Sequence, residues 1–358
     1  MSTRGNIKLK LVDRYIGIFL IFFLSFFKIK KIKPQQYDSL GILATAAIGD
    51  TILLSALAQS LKSKYPQAKI ILFAGESNVA IAQLLVGFDE IVLITVKNPW
   101  KAILQLRKYS LDLLIDSGQW ARINALLSFF AKSKHTVGFK TEGQYRHFLY
   151  DSVITHSSTH HELENFLNLN LDFALEKPII PMFKTHSVDK VNHRIICHIK
   201  PSGEKAWMKE WDNSKWIKLI HYLEGRGFEV FLTGGPEDQT SLNELFNQGL
   251  SSKNVYVVAG KYSLKQTMEL IQSAKLCISV NTGIMHMASV LGIDLVAIHG
   301  PTNPKRWGPI NSNSTIIQSS LTCSPCLNLG FDYKCPVNDC MKEISYEKVL
   351  EEVKKYLT

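Results

Sequence analysis

Two phosphate-binding signatures are missing from this sequence. It has neither a G-x-G-x-x-G turn nor a G-x-x-x-x-G-K-[ST] loop, so dinucleotide redox chemistry and nucleotide hydrolysis both lack their usual cradle. No Asp-x-Asp pair follows an apolar run, and the nearest carboxylate pair, Glu162 and Glu164, sits in an amphipathic stretch that reads as a solvated helix face. Cysteine is sparse, six in 358 residues, which excludes a disulfide scaffold. There is no short repeat and no low-complexity tract. Acidic residues are the minority charge, 31 against 41 Lys and Arg, and the formal net charge is +10. That balance suits an anionic partner: a phosphorylated ligand, an acidic lipid surface or nucleic acid. Nucleic acid is set aside, because the lysines crowd at the N-terminus and no aromatic-basic module appears.

What is present describes a globular protein. Hydrophobic residues make up 46% and charged residues 20%, and the length allows two domains at roughly 150 residues each. The longest uncharged apolar run covers residues 15–27 and ends in Lys28, Lys30, Lys31 and Lys33. Thirteen helical residues rise only about 20 Å, short of the roughly 30 Å hydrocarbon core. The lysine-rich exit offers no small-x-small cleavage site, so an export signal does not fit. The expectation is an interfacial anchor over residues 1–36, on the cytoplasmic face and peripheral to the inner membrane. Packing of this helix on the protein's own core is the alternative.

From residue 39 onward short apolar runs alternate with amphipathic ones. Strands are expected at 40–44, 69–73, 90–94, 111–115 and near Val137, with a helix from Asp50 to the stop at Pro66. Residues 150–190 interrupt the pattern with a His/Ser/Thr stretch, a helix over 162–174 and a proline-bearing extended segment, and the linker is placed there. Strands resume at 194–198, 229–232, 255–258, 276–280 and 295–298, and a last helix covers about 345–357. The fold class is α/β, two doubly wound Rossmann-like domains facing a central cleft, with ligands at the carboxyl ends of strands. The expected domains are 37–180 and 181–344, followed by a C-terminal helix at 345–358.

One stretch carries most of the chemistry. A buried strand runs into Asn281-Thr282-Gly283, so the next helix presents unpaired backbone N–H groups and the positive end of its dipole to the sheet edge. This is a phosphate seat. Gly283 permits close approach, Thr282 adds a hydroxyl, and His286 lies one turn further on. The bland alternative makes Asn281 or Thr282 an N-cap and His286 a core histidine.

The run from Asn281 to Gly292, followed by Gly300-Pro301-Thr302-Asn303-Pro304 and Arg306-Trp307-Gly308-Pro309, resembles glycosyltransferase family 9, the ADP-heptose:lipopolysaccharide heptosyltransferases. Ile48-Gly49-Asp50-Thr51, Lys200-Pro201-Ser202-Gly203 with Lys209-Glu210-Trp211, and Thr233-Gly234-Gly235-Pro236-Glu237-Asp238 agree in order and spacing. The resemblance covers about residue 40 to the end. It implies a GT-B fold and an inverting, metal-independent transfer, without cofactor, from a nucleotide-sugar donor to a glycolipid acceptor held mainly by the N-terminal domain. It makes Asp50 the general base, with Asp116 the fallback. It gives Ser202, Gly203, Lys209, Asn281, Thr282, Gly283 and His286 to the nucleotide sugar.

Arg122, in the stretch after Asp116, is a candidate for an anionic group on the acceptor; Asp116 and Arg122 together form the expected acceptor set. Three departures bear on the donor: Asn281 stands where many members carry Asp, Glu210 where a base is common, and Ser202 where Gly is common. A different nucleotide sugar, or a non-catalytic sugar-binding scaffold at the membrane, are the alternatives. Cys323, Cys326, Cys335 and Cys340 could hold zinc, but their uneven spacing favours free thiols and no metal.

Overall fold

The computed structural model describes residues 7–45, 47–171, 179–203, 205–250, 253–328, 332–333 and 335–357. Residues 1–6 of the expected anchor and 172–178 of the expected linker lie outside them. The chain divides into two compact units, one spanning Asn6–Lys184 and the other Thr185–Thr358. The division falls beyond residue 180 because the following residues are laced onto the first unit. Met182 N–H donates to Ser55 Oγ at 3.3 Å, Lys184 N–H to the Leu84 carbonyl at 2.7 Å, and Phe183 bridges Leu85.

The first unit is built on six parallel strands: β1 (Ser39–Ala44), β2 (Lys69–Ala74), β3 (Glu90–Leu93), β4 (Leu111–Asp116), β5 (Ser133–Lys140) and β6 (Ser152–Thr155). Their order is β3-β2-β1-β4-β5-β6. A parallel sheet covered on both faces needs largely apolar strands, which is why β1 and β2 read as hydrophobic runs and β4 as one interrupted by Asp112. Progression across the sheet reverses between β1 and β4, and the crevice beyond their carboxyl ends is where such folds bind ligands. Helix α2 (Ile48–Lys64) leaves β1 at this point. The residue before it, Ala47, is held at φ 63, a left-handed conformation uncommon outside glycine.

The second unit repeats the plan. β7 (Val191–His198), β8 (Glu229–Leu232), β9 (Val255–Val257), β10 (Ala274–Val280), β11 (Asp294–His299) and β12 (Ser314–Gln318) are parallel in the order β12-β11-β10-β7-β8-β9. Its switch point lies between β7 and β10. Trp211 and Trp216 pack edge to face in the core beneath, with ring centroids 5.0 Å apart.

Helix α1 (Ile7–Ser25) belongs to the first unit. Asp13, Gly17, Ile21 and Leu24 recur at helical spacing on its docked side: Ile21 is wholly buried against Ala125, Leu149 and Tyr150. Gly17 lets the helix approach closely, since a Cβ would stand a tight 3.1 Å from Cβ of Arg122. One side packs on the protein, while Tyr15, Phe19, Phe23 and Phe26 stay exposed. No helix among the described residues is long and apolar enough to cross a membrane.

Candidate active site

In the first unit a cavity of about 50 Å³ opens at the carboxyl ends of β1 and β4. Asp50 lies in the first turn of α2, half-buried, and its residue lines the cavity. Thr45 and Leu54 line it on the same side, and Ser117, Gly118, Gln119, Trp120 and Asn124 form the wall contributed by the loop after β4 and the helix that follows.

Asp116 and Arg122 are not among the lining residues. Asp116 is wholly buried: Arg146 and Tyr150 donate to Oδ2, while Gly118 N–H (2.8 Å) and Asn124 Nδ2 (3.4 Å) donate to Oδ1. Its lone pairs hold the wall of the cavity and are not presented to a ligand. Arg122 is turned the other way. Its Nη1 lies 3.7 Å from Asp13 and its Nη2 donates to the Gly143 carbonyl at 3.2 Å. Burial lowers its pKa against the pull of Asp13.

Glu162 departs from the solvated face expected of it. It is wholly buried, and its Oε2 accepts from His156 Nε2 at 2.9 Å, Gln119 Nε2 at 3.0 Å and Asn165 Nδ2 at 3.2 Å. Its neighbour Glu164 is the exposed one. Asn165 lies on the same helix, but His156 and Gln119 come from outside it, and helical periodicity carries no sign of those two.

In the second unit the expected donor residues follow the carboxyl ends of β7 and β10. Thr282 caps the helix Gly283–Val290, its Oγ1 accepting from Met285 N–H at 3.4 Å, and His286 is buried one turn in. Asn281 is held by its amide: Nδ2 donates to the Trp307 carbonyl at 3.0 Å. An aspartate there would bring a carboxylate against that carbonyl. Arg306 stacks on Trp307 with its guanidinium 4.1 Å from the ring centroid.

Lys209 Nζ donates to the Ser202 carbonyl at 3.1 Å, and Gly203 takes φ 102 with nothing within 4 Å of a notional Cβ. The open left-handed turn explains the glycine. Glu210, the departure noted above, pairs with Lys200 at 3.3 Å.

His299, which sequence reasoning passed over, ends β11. Thr302 bonds its Nδ1 at 3.0 Å, Nε2 has no partner, and burial with the nearby Lys209 charge pushes its pKa down to about 4. Gln119, Asn124 and Trp307 were also passed over; their only signal was position just beyond a strand end or inside a recognised motif. Among the described residues no group of three or more His, Cys, Asp or Glu is placed to hold a metal ion.

Residues 100–335 match the family described as glycosyltransferase family 9 (heptosyltransferase). The chain belongs to glycosyltransferase family 9. Lipooligosaccharide heptosyltransferase 2 of Campylobacter jejuni is 27% identical to this family member over 328 residues, 87% of this chain and 96% of that protein. The structure of E. coli ADP-heptose lps heptosyltransferase II shares the fold with a TM-score of 0.73 at 22% identity, over 89% of this chain and 98% of that one. The bacterial iron-containing dodecameric glycosyltransferase TibC from enterotoxigenic E. coli is a more distant likeness, with a TM-score of 0.59 at 15% identity over 91% and 77%. The family member is thus a glycosyltransferase of heptosyltransferase type, built on two parallel α/β sheets.

Proposed function

We propose that this family 9 member is an inverting transferase that moves a heptose from ADP-heptose onto a lipopolysaccharide core or similar glycolipid. The observation that carries the reading is Asp50, half-buried in the first turn of α2 and lining the cavity at the β1/β4 switch point. In this reading Asp50 takes the proton of an acceptor hydroxyl as the oxygen forms its bond to the anomeric carbon. The bond from that carbon to the diphosphate oxygen breaks on the opposite face, and the electron pair leaves with ADP.

The second unit takes the donor. Lys209 and the N–H groups at the start of the helix Gly283–Val290 neutralise the charge that grows on the leaving diphosphate, which assigns no step to a metal ion. Ser202, Gly203 and His286 complete the phosphate seat, and Asn281 Oδ1 accepts from a sugar hydroxyl. The cysteines at 323, 326, 335 and 340 are free thiols in this account. The exposed side of α1 and the lysines that follow it hold the enzyme at the cytoplasmic surface of the inner membrane, where a lipid-linked acceptor is presented.

A second reading keeps the reaction and changes the sugar. Asn281 favours it, because an uncharged acceptor there alters which hydroxyl pattern is read. A panel of nucleotide sugars, scored by released nucleoside diphosphate, separates the two.

Asp50→Ala tests the assignment of the base. Transfer should fall about 10²–10⁴-fold, the usual contribution of a positioned base, while ADP binding by calorimetry stays at the wild-type value. A variant that retains the wild-type rate removes Asp50 from the mechanism.

A further inference from the structure

The wall of the Asp50 cavity that follows β4 has two ends, and they are held differently. The near end is tied to the sheet and to Glu162. Ser117 N–H and Oγ donate to the Leu43 carbonyl at 3.1 and 3.0 Å, Gly118 N–H to Asp116 Oδ1 at 2.8 Å, and Gln119 Nε2 to Glu162 Oε2 at 3.0 Å. The far end, Trp120, Ala121 and Asn124, belongs to the start of the helix Arg122–Phe130. Asn124 lines the cavity from the first turn of that helix, and its Oδ1 accepts from Thr45 Oγ1, another lining residue, at 2.8 Å.

This first turn has no capping side chain of its own, because alanine at position 121 offers no oxygen to the first N–H groups of the helix. Asp13 of α1 supplies both acceptors: Oδ2 takes Arg122 N–H at 3.1 Å and Oδ1 takes Ile123 N–H at 2.8 Å. Two bonds from one carboxylate fix the direction of the helix start as well as its place. Arg122 adds a side-chain tie, with Nη1 3.7 Å from the same carboxylate and Nη2 donating to the Gly143 carbonyl at 3.2 Å. One turn after Asp13, Gly17 brings α1 against the Arg122 side chain, and a turn further Ile21 packs on Ala125. Successive turns of α1 thus address the one helical turn that ends the cavity wall. Without the cap, two N–H groups lose their acceptor, and a helix start in that state frays or tightens. Either change moves Trp120, Ala121 and Asn124 relative to Asp50, which stands on a different helix.

We propose that α1 is part of the frame of the acceptor site, and that Asp13 is the positioning residue that sets the far end of the cavity wall. Arg122, the sequence candidate for an anionic group on the acceptor, acts in this account as the second tie of that cap. The proposal rests on the reading of the Asp50 cavity as the acceptor's seat, and it requires no lipid contact by α1.

The test uses the full-length enzyme in solution without vesicles, ADP-heptose, and a deacylated lipopolysaccharide core oligosaccharide ending in heptose. Asp13→Ala should raise the acceptor KM about tenfold while the donor KM stays within about twofold. Amide hydrogen exchange over residues 117–125 should quicken about tenfold in the same variant. Asp13→Asn keeps one acceptor oxygen of the two and should raise the acceptor KM about threefold; it carries the test alone should the alanine variant fail to fold. A role in stability alone predicts a different pattern, because unfolded molecules lower the apparent kcat and leave both KM values where they were.

A wild-type acceptor KM in these variants overturns the proposal. So do equal rises in the acceptor and donor KM, and so does wild-type exchange over residues 117–125 in Asp13→Ala. Transfer at the wild-type rate by Asp50→Ala is a separate failure, of the base assignment, and leaves the acceptor KM and the exchange to judge Asp13.

Discussion

His299 shows at the scale of one side chain what sequence cannot announce. In the linear chain it is the residue before Gly300-Pro301; in the fold it is wholly buried, with Nε2 unpartnered and its pKa lowered from 6.5 to about 4, first by burial and then by Lys209. The consequence for stability has a definite sign. Between pH 6.5 and 4 the unfolded chain binds a proton that the folded chain refuses, so this residue's contribution is complete above pH 6.5 and is lost as the pH falls. His135 and His147 are displaced the same way by burial, so the effect must be isolated by a variant. His299→Gln should lose about 2 kcal/mol less than the wild type when urea unfolding is compared at pH 7 and pH 5. Parallel losses in the two proteins would mean that the imidazole is not held neutral. Glu162 makes the same point from the acid side: its periodicity suggested solvent, and three buried donors decided otherwise.

At the scale of elements, strands were legible wherever both faces of the sheet are covered. β1, β2, β4, β10 and β11 stand out as apolar runs for that reason, whereas β6, Ser152–Thr155, lay hidden in a His/Ser/Thr stretch because it is a sheet edge with only partial burial. The candidate site was legible where it coincides with a strand end and a helix start, as at the positions of Asp50 and Thr282. It was not legible where a side chain could face either way, as at Arg122.

The docking of α1 depends on such a distant pairing. The helix Arg122–Phe130 begins at Ala121, which has no capping side chain. Asp13 of α1 supplies the cap from more than a hundred residues away, accepting from Arg122 N–H at 3.1 Å and Ile123 N–H at 2.8 Å. Asp13→Ala should therefore cost at least about 2 kcal/mol, from the lost cap and the loss of Arg122's ionic partner. Asp13→Asn, which still accepts, should cost clearly less. Chemical denaturation of the two variants measures the difference, and a neutral Asp13→Ala would mean that α1 docks through its apolar contacts alone.

At the scale of the whole molecule, the proposed membrane contact would draw on both the +10 charge and the outward side of α1. Tyr15, Phe19, Phe23 and Phe26 follow helical spacing opposite the docked residues, and Phe19 is 75% and Phe26 87% exposed. Ile29 and Ile32, 83% and 93% exposed, continue the apolar surface among Lys28, Lys30, Lys31 and Lys33. Two of these lysines are partly committed to the protein, Lys28 to Asp151 at 2.7 Å and Lys31 to the Ser133 carbonyl at 2.6 Å. In the proposed contact each lysine would add at most about 1 kcal/mol near an anionic surface, and each inserted phenylalanine about 1.5–3 kcal/mol. The apolar share is thus the larger, and the ionic share is the one that salt removes. Binding to vesicles containing phosphatidylglycerol should weaken about tenfold between 0.1 and 0.5 M NaCl without vanishing. A Phe19→Ser, Phe23→Ser, Phe26→Ser triple variant should lose it at every salt concentration while its unfolding midpoint stays put, because those side chains bury little in the fold. Salt-independent binding, or a triple variant that still binds, would place the membrane contact elsewhere on the chain.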